Sequence, residues 1–337
     1  MTRRREILMV IGGAVVTAWP LAAAIRPAAA QQAPRPTVPR VGVLTPAATD
    51  QTPIFAAFRQ GLRELGYVEG RDIVLEFRCA AGDYRALARL AGELVRLPVA
   101  VLVTDGGAAV QIAAAVAAAT AIPIVMGTSS ADPVALGLAA SLARPGGRVT
   151  GFTLQASELN AKRVDLLRAA FPDATALTVL LNPANAGSEL YFRVTREAAR
   201  SLGLAVARLD IGSAEALRAV SPQAIDPAGV LLVVPDAMLW NHRRDILALA
   251  AAARVPALYP EREYAEDGGL IAYGANVPDN FRRAAGYVDR ILKGAAPGEL
   301  PIQVPAKFDF IINLKTARAL GIAIPPEILA RADEVIE

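Results

Sequence analysis

An alternation of short apolar runs with helix-spaced segments, met twice along the chain, restricts this sequence more than any other feature. Val41-Gly42-Val43-Leu44 is a short apolar run closed by Thr45-Pro46, the pattern of a strand buried on both faces. Ile54, Phe55, Phe58, Leu62 and Leu65 then recur at helical spacing until Gly66 stops them. Ile73–Phe77 reads as a strand, Tyr84–Val95 as a helix, and Val99–Val103 as a strand ending at Asp105-Gly106-Gly107. An alanine-rich helix over Ala108–Ala119 and a strand over Ile122–Met126, ending at Gly127-Thr128-Ser129, complete the first series.

The second series repeats the scheme. Strands are expected over Leu177–Leu181, Leu204–Leu209, Val230–Val234, Ala257–Tyr259 and Leu270–Tyr273, with helices over Glu189–Leu202 and Met238–Ala253. V-G-V-L-T-P-A at 41–47 echoes T-V-L-L-N-P-A at 178–184. Strands alternating with helices specify βαβ units and a mostly parallel sheet. The expected fold class is therefore α/β, with two Rossmann-like lobes built on parallel sheets. The joint is expected near Pro145-Gly146-Gly147, where turn residues separate the two series. A helix over Asp279–Leu292 and a strand over Lys307–Ile312 remain after two complete lobes. If one returns to each lobe, the chain crosses between them three times. The expected division is 39–150 plus 276–298 for the first lobe and 151–275 plus 299–337 for the second.

The first thirty residues are a different object. Arg3, Arg4 and Arg5 precede an apolar run from Ile7 to Ala24, and Ala28-Ala29-Ala30 follows. Basic head, apolar middle and small-residue exit are the parts of a secretory signal. A single membrane anchor is the other reading, but Gly12, Gly13 and Pro20 interrupt a run close to the shortest that spans a bilayer. Arg4 to Leu8 resembles a twin-arginine signal, with Met9 where a lysine is usual. Three prolines between Gln31 and Pro39 mark a flexible leader over 31–38. Residues 1–30 hold Arg3, Arg4, Arg5 and Arg26 against Glu6, so a chain with 35 basic and 32 acidic residues is left with 31 of each once they are removed. No stripe of Lys/Arg with interleaved aromatics suits nucleic acid. The expected location is the periplasm. Cys79 is the single cysteine, so no internal disulfide forms, and its apolar surroundings suggest a small core residue.

In open parallel sheets, ligands bind at the carboxyl ends of strands, beside helix N-termini with free backbone N–H groups. Those ends here carry Thr45, Pro46, Asp105, Gly106, Gly107, Gly127, Thr128, Ser129, Asn182, Asn185 and Asp236. Any one of these polar residues alone is more readily a helix cap than a ligand contact. Together they would face one cleft between two lobes, and helix starts of this kind suit a carboxylate or similar anion. Tyr259 and Tyr273 are either aromatic walls of that cleft or ordinary core, and Glu261, Arg262 and Glu263 either its edge or a solvated loop. His242 is the only histidine, in the polar stretch W-N-H-R-R-D, which leaves no histidine triad and no histidine metal cluster. With no G-x-S-x-G and no G-K-[ST], neither an enzyme nor a nucleotide site is expected, and no cofactor or metal.

Several strings carry a family likeness: F-R-Q-G-L-R-E-L-G-Y-V-E-G (58–70), I-P-I-V-M-G-T-S-S-A-D-P-V-A-L-G-L (122–138), L-A-R-P-G-G-R-V-T-G (142–151), Y-G-A-N-V-P-D-N-F-R-R-A-A (273–285) and P-A-K-F-D-F-I-I-N-L-K-T-A-R-A-L-G (305–321). From about residue 38 onward the chain resembles the ABC-transporter substrate-binding family that includes tryptophan-binding and tyrosine-binding lipoproteins. The resemblance implies a type I periplasmic-binding architecture with three hinge crossings. It also implies capture of a small organic solute, such as an amino acid or an aromatic or carboxylate compound, and delivery to an ABC permease in the inner membrane by a monomer. This sequence lacks the cysteine that follows the signal in the lipoproteins, which implies a free protein. A receptor of the same fold that reports to a signalling partner is the alternative.

Overall fold

The computed structural model describes residues 38–337 except Gln155 and Ala186, so the expected signal and leader lie outside the described residues. Five strands form the first sheet: β1 (Arg40–Thr45), β2 (Val74–Cys79), β3 (Val99–Asp105), β4 (Ile124–Thr128) and β5 (Val149–Gly151), in the order β2-β1-β3-β4-β5. Seven form the second: β6 (Ala176–Leu181), β7 (Ala205–Asp210), β8 (Gly229–Val233), β9 (Ala257–Tyr259), β10 (Ile271–Ala275), β11 (Phe308–Asn313) and β12 (Glu334–Ile336), in the order β12-β11-β10-β9-β8-β6-β7. Pairing is parallel throughout except between β10 and β11, which run antiparallel.

Side-chain alternation splits the first sheet between two cores. Val41, Val43, Val101, Val103 and Val125 face one side, against the helices Pro53–Glu64 and Val277–Leu292. Leu44, Leu102, Ile124 and Met126 face the other, against Leu87–Arg96 and Gly107–Val116. Both faces are covered, so the central strands read as unbroken apolar runs. The second sheet holds one large core around Leu177, Val179, Leu231, Leu232 and Leu258. The late helix Val277–Leu292 packs on the first sheet through Phe281, Ala284 and Val288, while β11 and β12 join the second.

Three segments therefore pass between the sheets, and they are bonded to one another. Gln303 N–H donates to Gly151 O at 2.8 Å, Thr153 N–H donates to Gln303 O at 2.9 Å, and Asn276 N–H donates to Lys307 O at 3.0 Å. Leu154 N–H reaches back to Ser129 O at 2.8 Å.

Three sequence expectations change. The turn at Pro145–Gly147 is followed by β5, so the chain leaves the first sheet at Phe152; three residues are too short an apolar run to read as a strand. The helix expected over Met238–Ala253 is two helices, Ala237–Asn241 and Arg243–Ala253. The His242 N–H between them is shared by Met238 O and Leu239 O, both at 3.2 Å, as in a tightened last turn. Cys79 is half-buried, because β2 is the edge strand of its sheet.

Gly151 adopts φ 114°, and a Cβ there would overlap the backbone of Met126 on β4. Gly66, at φ 90°, has open space around it. Gly151→Ala combines backbone strain with collision, so it is expected to cost at least ~2 kcal/mol, against about 1 kcal/mol for Gly66→Ala. Urea unfolding of both variants measures the difference; equal costs would show that β4 yields freely at this point.

Candidate functional site

The carboxyl ends of the two sheets open on a shared cavity of about 840 Å³, counting its mouth. Each lobe contributes a buried carboxylate held by its own neighbours. In the first lobe, Thr45 Oγ1 at the end of β1 donates to Asp105 Oδ2 at the end of β3, at 2.8 Å. The same Thr45 oxygen accepts the Ala47 N–H at 2.9 Å. Asp105 is only 7% exposed. Burial pushes its carboxyl up to about 6; the Thr45 hydroxyl opposes this and the charge of Asp236 adds to it.

In the second lobe, Asp236 follows β8 and caps the helix Ala237–Asn241, with Oδ1 accepting the Leu239 N–H at 3.0 Å. Asn182, just past β6, donates to both its oxygens at 3.3 Å, and Asn185 donates to Oδ2 at 3.0 Å. The remaining donor comes across the gap: Tyr84 of the first lobe gives its hydroxyl proton to Asp236 Oδ2 at 2.7 Å. Two weaker contacts also cross, Asn241 Nδ2 to Pro46 O and Ser130 Oγ to Asn185 Oδ1, each at 3.4 Å. The lobes are thus drawn together over the cavity.

The sequence-predicted residues divide into three groups. Asp105, Gly106, Thr128, Asn185 and Asp236 line the cavity. Thr45 and Asn182 stand behind the carboxylates and orient them, and Pro46 supplies an inter-lobe carbonyl. The others turn away. Gly127 lies against the Phe281 ring, where a side chain would collide; Gly107 abuts Ala131, and Ser129 Oγ donates to Ala131 O at 2.9 Å. Tyr259 and Tyr273 are core and not cleft walls. Tyr259 is 2% exposed and stacks on Tyr264 at 4.9 Å, and Tyr273 packs between Phe308 and Phe310. Strand alternation decides this, because an aromatic within β9 or β10 points into a sheet face rather than off its tip.

Tyr84 and Trp240 supply the aromatic surface instead, with Ile54 and Leu154. The sequence marks neither clearly, since Tyr84 follows a Gly82-Asp83 turn and Trp240 sits beside charged residues. Glu261, Arg262 and Glu263, left open between cleft edge and solvated loop, line the cavity. His242 lies outside it, its ring 3.8 Å from the Asp245 carboxylate.

The ionisable side chains that line the cavity are mostly acidic. Asp105, Asp236, Glu261, Glu263 and Asp309 line it against a single guanidinium, Arg262. That guanidinium is committed to Glu266 and Glu334, each at 2.8 Å, and to Asp309 at 3.6 Å. Burial, and then the charge of Glu263, pushes the Glu261 carboxyl well above the usual carboxylate range. Thr52 Oγ1, Thr128 Oγ1 and Glu261 Oε2 are shielded from solvent with no hydrogen-bond partner among the described residues. Among those residues no cluster of His, Cys, Asp and Glu has the arrangement of a metal site, and no helix is long and apolar enough to cross a membrane.

Residues 41–336 match the family described as ABC transporter substrate binding protein. A tyrosine-binding protein of Clostridioides difficile is 24% identical over 263 residues, 78% of this chain and 75% of that protein. A conserved domain protein of Vibrio cholerae of known structure is 26% identical, with a TM-score of 0.81 over 88% of this chain and 99% of that one. A Streptococcus pneumoniae ABC domain in complex with L-Trp is 24% identical, with a TM-score of 0.77 over the same shares. The fold is that of a type I periplasmic binding protein.

Because the folded Asp105 carboxyl titrates near 6 and the unfolded one near 3.9, the folded state alone keeps this proton between those values. Stability is therefore lost as pH rises through that window. Asp105→Asn removes the titration. In the ligand-free protein, its stability relative to the natural chain is expected to grow by about 2–3 kcal/mol from pH 4 to pH 7. Urea unfolding at both pH values measures this, and a difference that does not change with pH would place Asp105 in a solvated environment.

Proposed function

The chain belongs to the ABC transporter substrate-binding protein family, and we propose that its cleft captures a small solute carrying a positively charged nitrogen beside an apolar or aromatic body. The observation that carries this reading is the meeting of Asp105 and Asp236, from opposite lobes, on a single gap whose other ionisable walls are also acidic. Two like charges approaching in a water-poor space repel. A cation between them turns that repulsion into attraction on both sides, and does so only when the lobes are together. Binding thus favours closed over open, which is all that closure requires of a ligand. The Tyr84–Asp236 hydrogen bond would then tie the lobes over the captured solute.

Tyr84, Trp240, Ile54 and Leu154 offer the apolar body a surface. An amino acid or a biogenic amine has both parts. Relatives named for tyrosine, or holding L-Trp, agree with that class. In this reading residues 1–30 direct export to the periplasm, and the closed form hands its solute to an ABC permease in the inner membrane. The three bonded crossings act as the hinge, bending at Phe152–Leu154, at Ala275–Val277 and in the segment before β11.

Calorimetry and thermal shift on residues 31–337, with amino acids, aromatic amines and carboxylic acids lacking an amine, test the reading. A true ligand at a hundred times its Kd is expected to add about 2.7 kcal/mol of stability. Asp105→Asn is expected to weaken an amine ligand roughly 10- to 100-fold. For the natural chain, affinity should fall as pH drops through about 6 and Asp105 takes up its proton. Binding confined to the carboxylic acids, or an amine affinity indifferent to Asp105→Asn, would overturn it.

A further inference from the structure

Beyond the main cavity lies a side chamber sharing Leu154, Pro235, Glu261, Ala275 and Val277 with it, and continuing inward to Arg163 and Tyr191. Three polar groups meet there. Tyr191, on the helix Ser188–Ser201, is 1% exposed; its hydroxyl lies near that of Ser130, which donates to Asn185 Oδ1 instead, and makes no well-aligned hydrogen bond among the described residues. Glu261 Oε2, on the wall between the two spaces, is equally unpartnered. Arg163 is buried and held in place, with Nε donating to Tyr273 O and Nη1 to Asn160 Oδ1, both at 2.8 Å. Buried polar groups without partners are costly, and a chain that keeps two of them at one spot needs a group to meet them.

The chemistry of that group is restricted from several sides. The chamber has room for about one water-sized group. The Arg163 guanidinium disfavours a cation, and a space for one water-sized group is too small for a carboxylate. Tyr191 offers a proton and Glu261 Oε2 offers a lone pair. A neutral group that accepts and donates at one heavy atom satisfies both, and a hydroxyl is that group.

We propose that the side chamber is a specificity subsite that reads a hydroxyl group on the solute, through Tyr191 and Glu261. The inference rests on the cleft being the solute site, and it narrows the solute to a hydroxylated amine or amino acid. The main cavity holds the charged nitrogen, and the chamber holds the hydroxyl.

Calorimetry with matched pairs tests it: L-tyrosine against L-phenylalanine, tyramine against phenethylamine, and 5-hydroxytryptophan against tryptophan. The hydroxylated member of at least one pair is expected to bind roughly tenfold tighter or more. Tyr191→Phe, which keeps the ring and removes the hydroxyl, should reduce that ratio to about threefold or less. Glu261→Gln serves as a second variant with different packing demands, and the melting of each unliganded variant reports its folding. Amines that bind with no pair reaching tenfold, or a ratio that survives both substitutions, overturn the subsite and leave the cleft reading standing. If no amine binds at all, both readings fall together.

Discussion

Backbone pairing at the crossings is the constraint on which the rest of the molecule depends. Gln303 bonds to both Gly151 and Thr153, and Asn276 bonds to Lys307, so the three connecting segments lie side by side rather than as separate tethers. Segments joined this way bend together and resist sliding. They hold two sheets with their carboxyl ends toward one space. The close approach of Gly151 to Met126 belongs to the same arrangement, because any side chain there would force the first crossing away from β4.

Given that frame, the chemistry of the gap follows from what each strand tip presents. Asp105 and Asp236 are each supported within their own lobe, by Thr45 on one side and by Asn182, Asn185 and a helix start on the other. The support orients the carboxylates without neutralising them. In the proposed closure, their mutual repulsion would oppose the closed form of the empty cleft, while the Tyr84 hydrogen bond would favour it. If the cleft opens and closes as proposed, opposed terms of similar size suit it, since an equilibrium lying far to either side would respond weakly to a ligand.

Much of the fold was legible in the residues because strands buried on both faces leave unbroken apolar runs, and helices between them leave a different spacing. The order of strands and helices, and the reuse of the last helix and strand across the lobes, follow from that. Elements too short to carry a period were not legible. β5 has three residues, and the break at His242 arises from a tightened turn rather than from a proline or glycine. Within the site, Asp105 and Asp236 were accessible to sequence reasoning because they follow strand ends. Tyr84 and Trp240 were not, since each lies within or beside a helix and reaches the cavity by its tertiary placement. Tyr259 and Tyr273 failed as walls for the converse reason, being near strand ends yet aimed into the sheet's core.

By itself, then, the sequence determined the α/β class, the two lobes and the polar character of the strand tips, all of which depend on residues close together in the chain. Only the tertiary structure decided the sign of the cleft. Carboxylates from β3, from the segment after β8, from the segment after β9 and from β11 become neighbours through the bonded crossings, and Arg262 is drawn off by Glu266 and Glu334. Charge in a cavity is a sum over residues distant in sequence, and no local pattern records that sum.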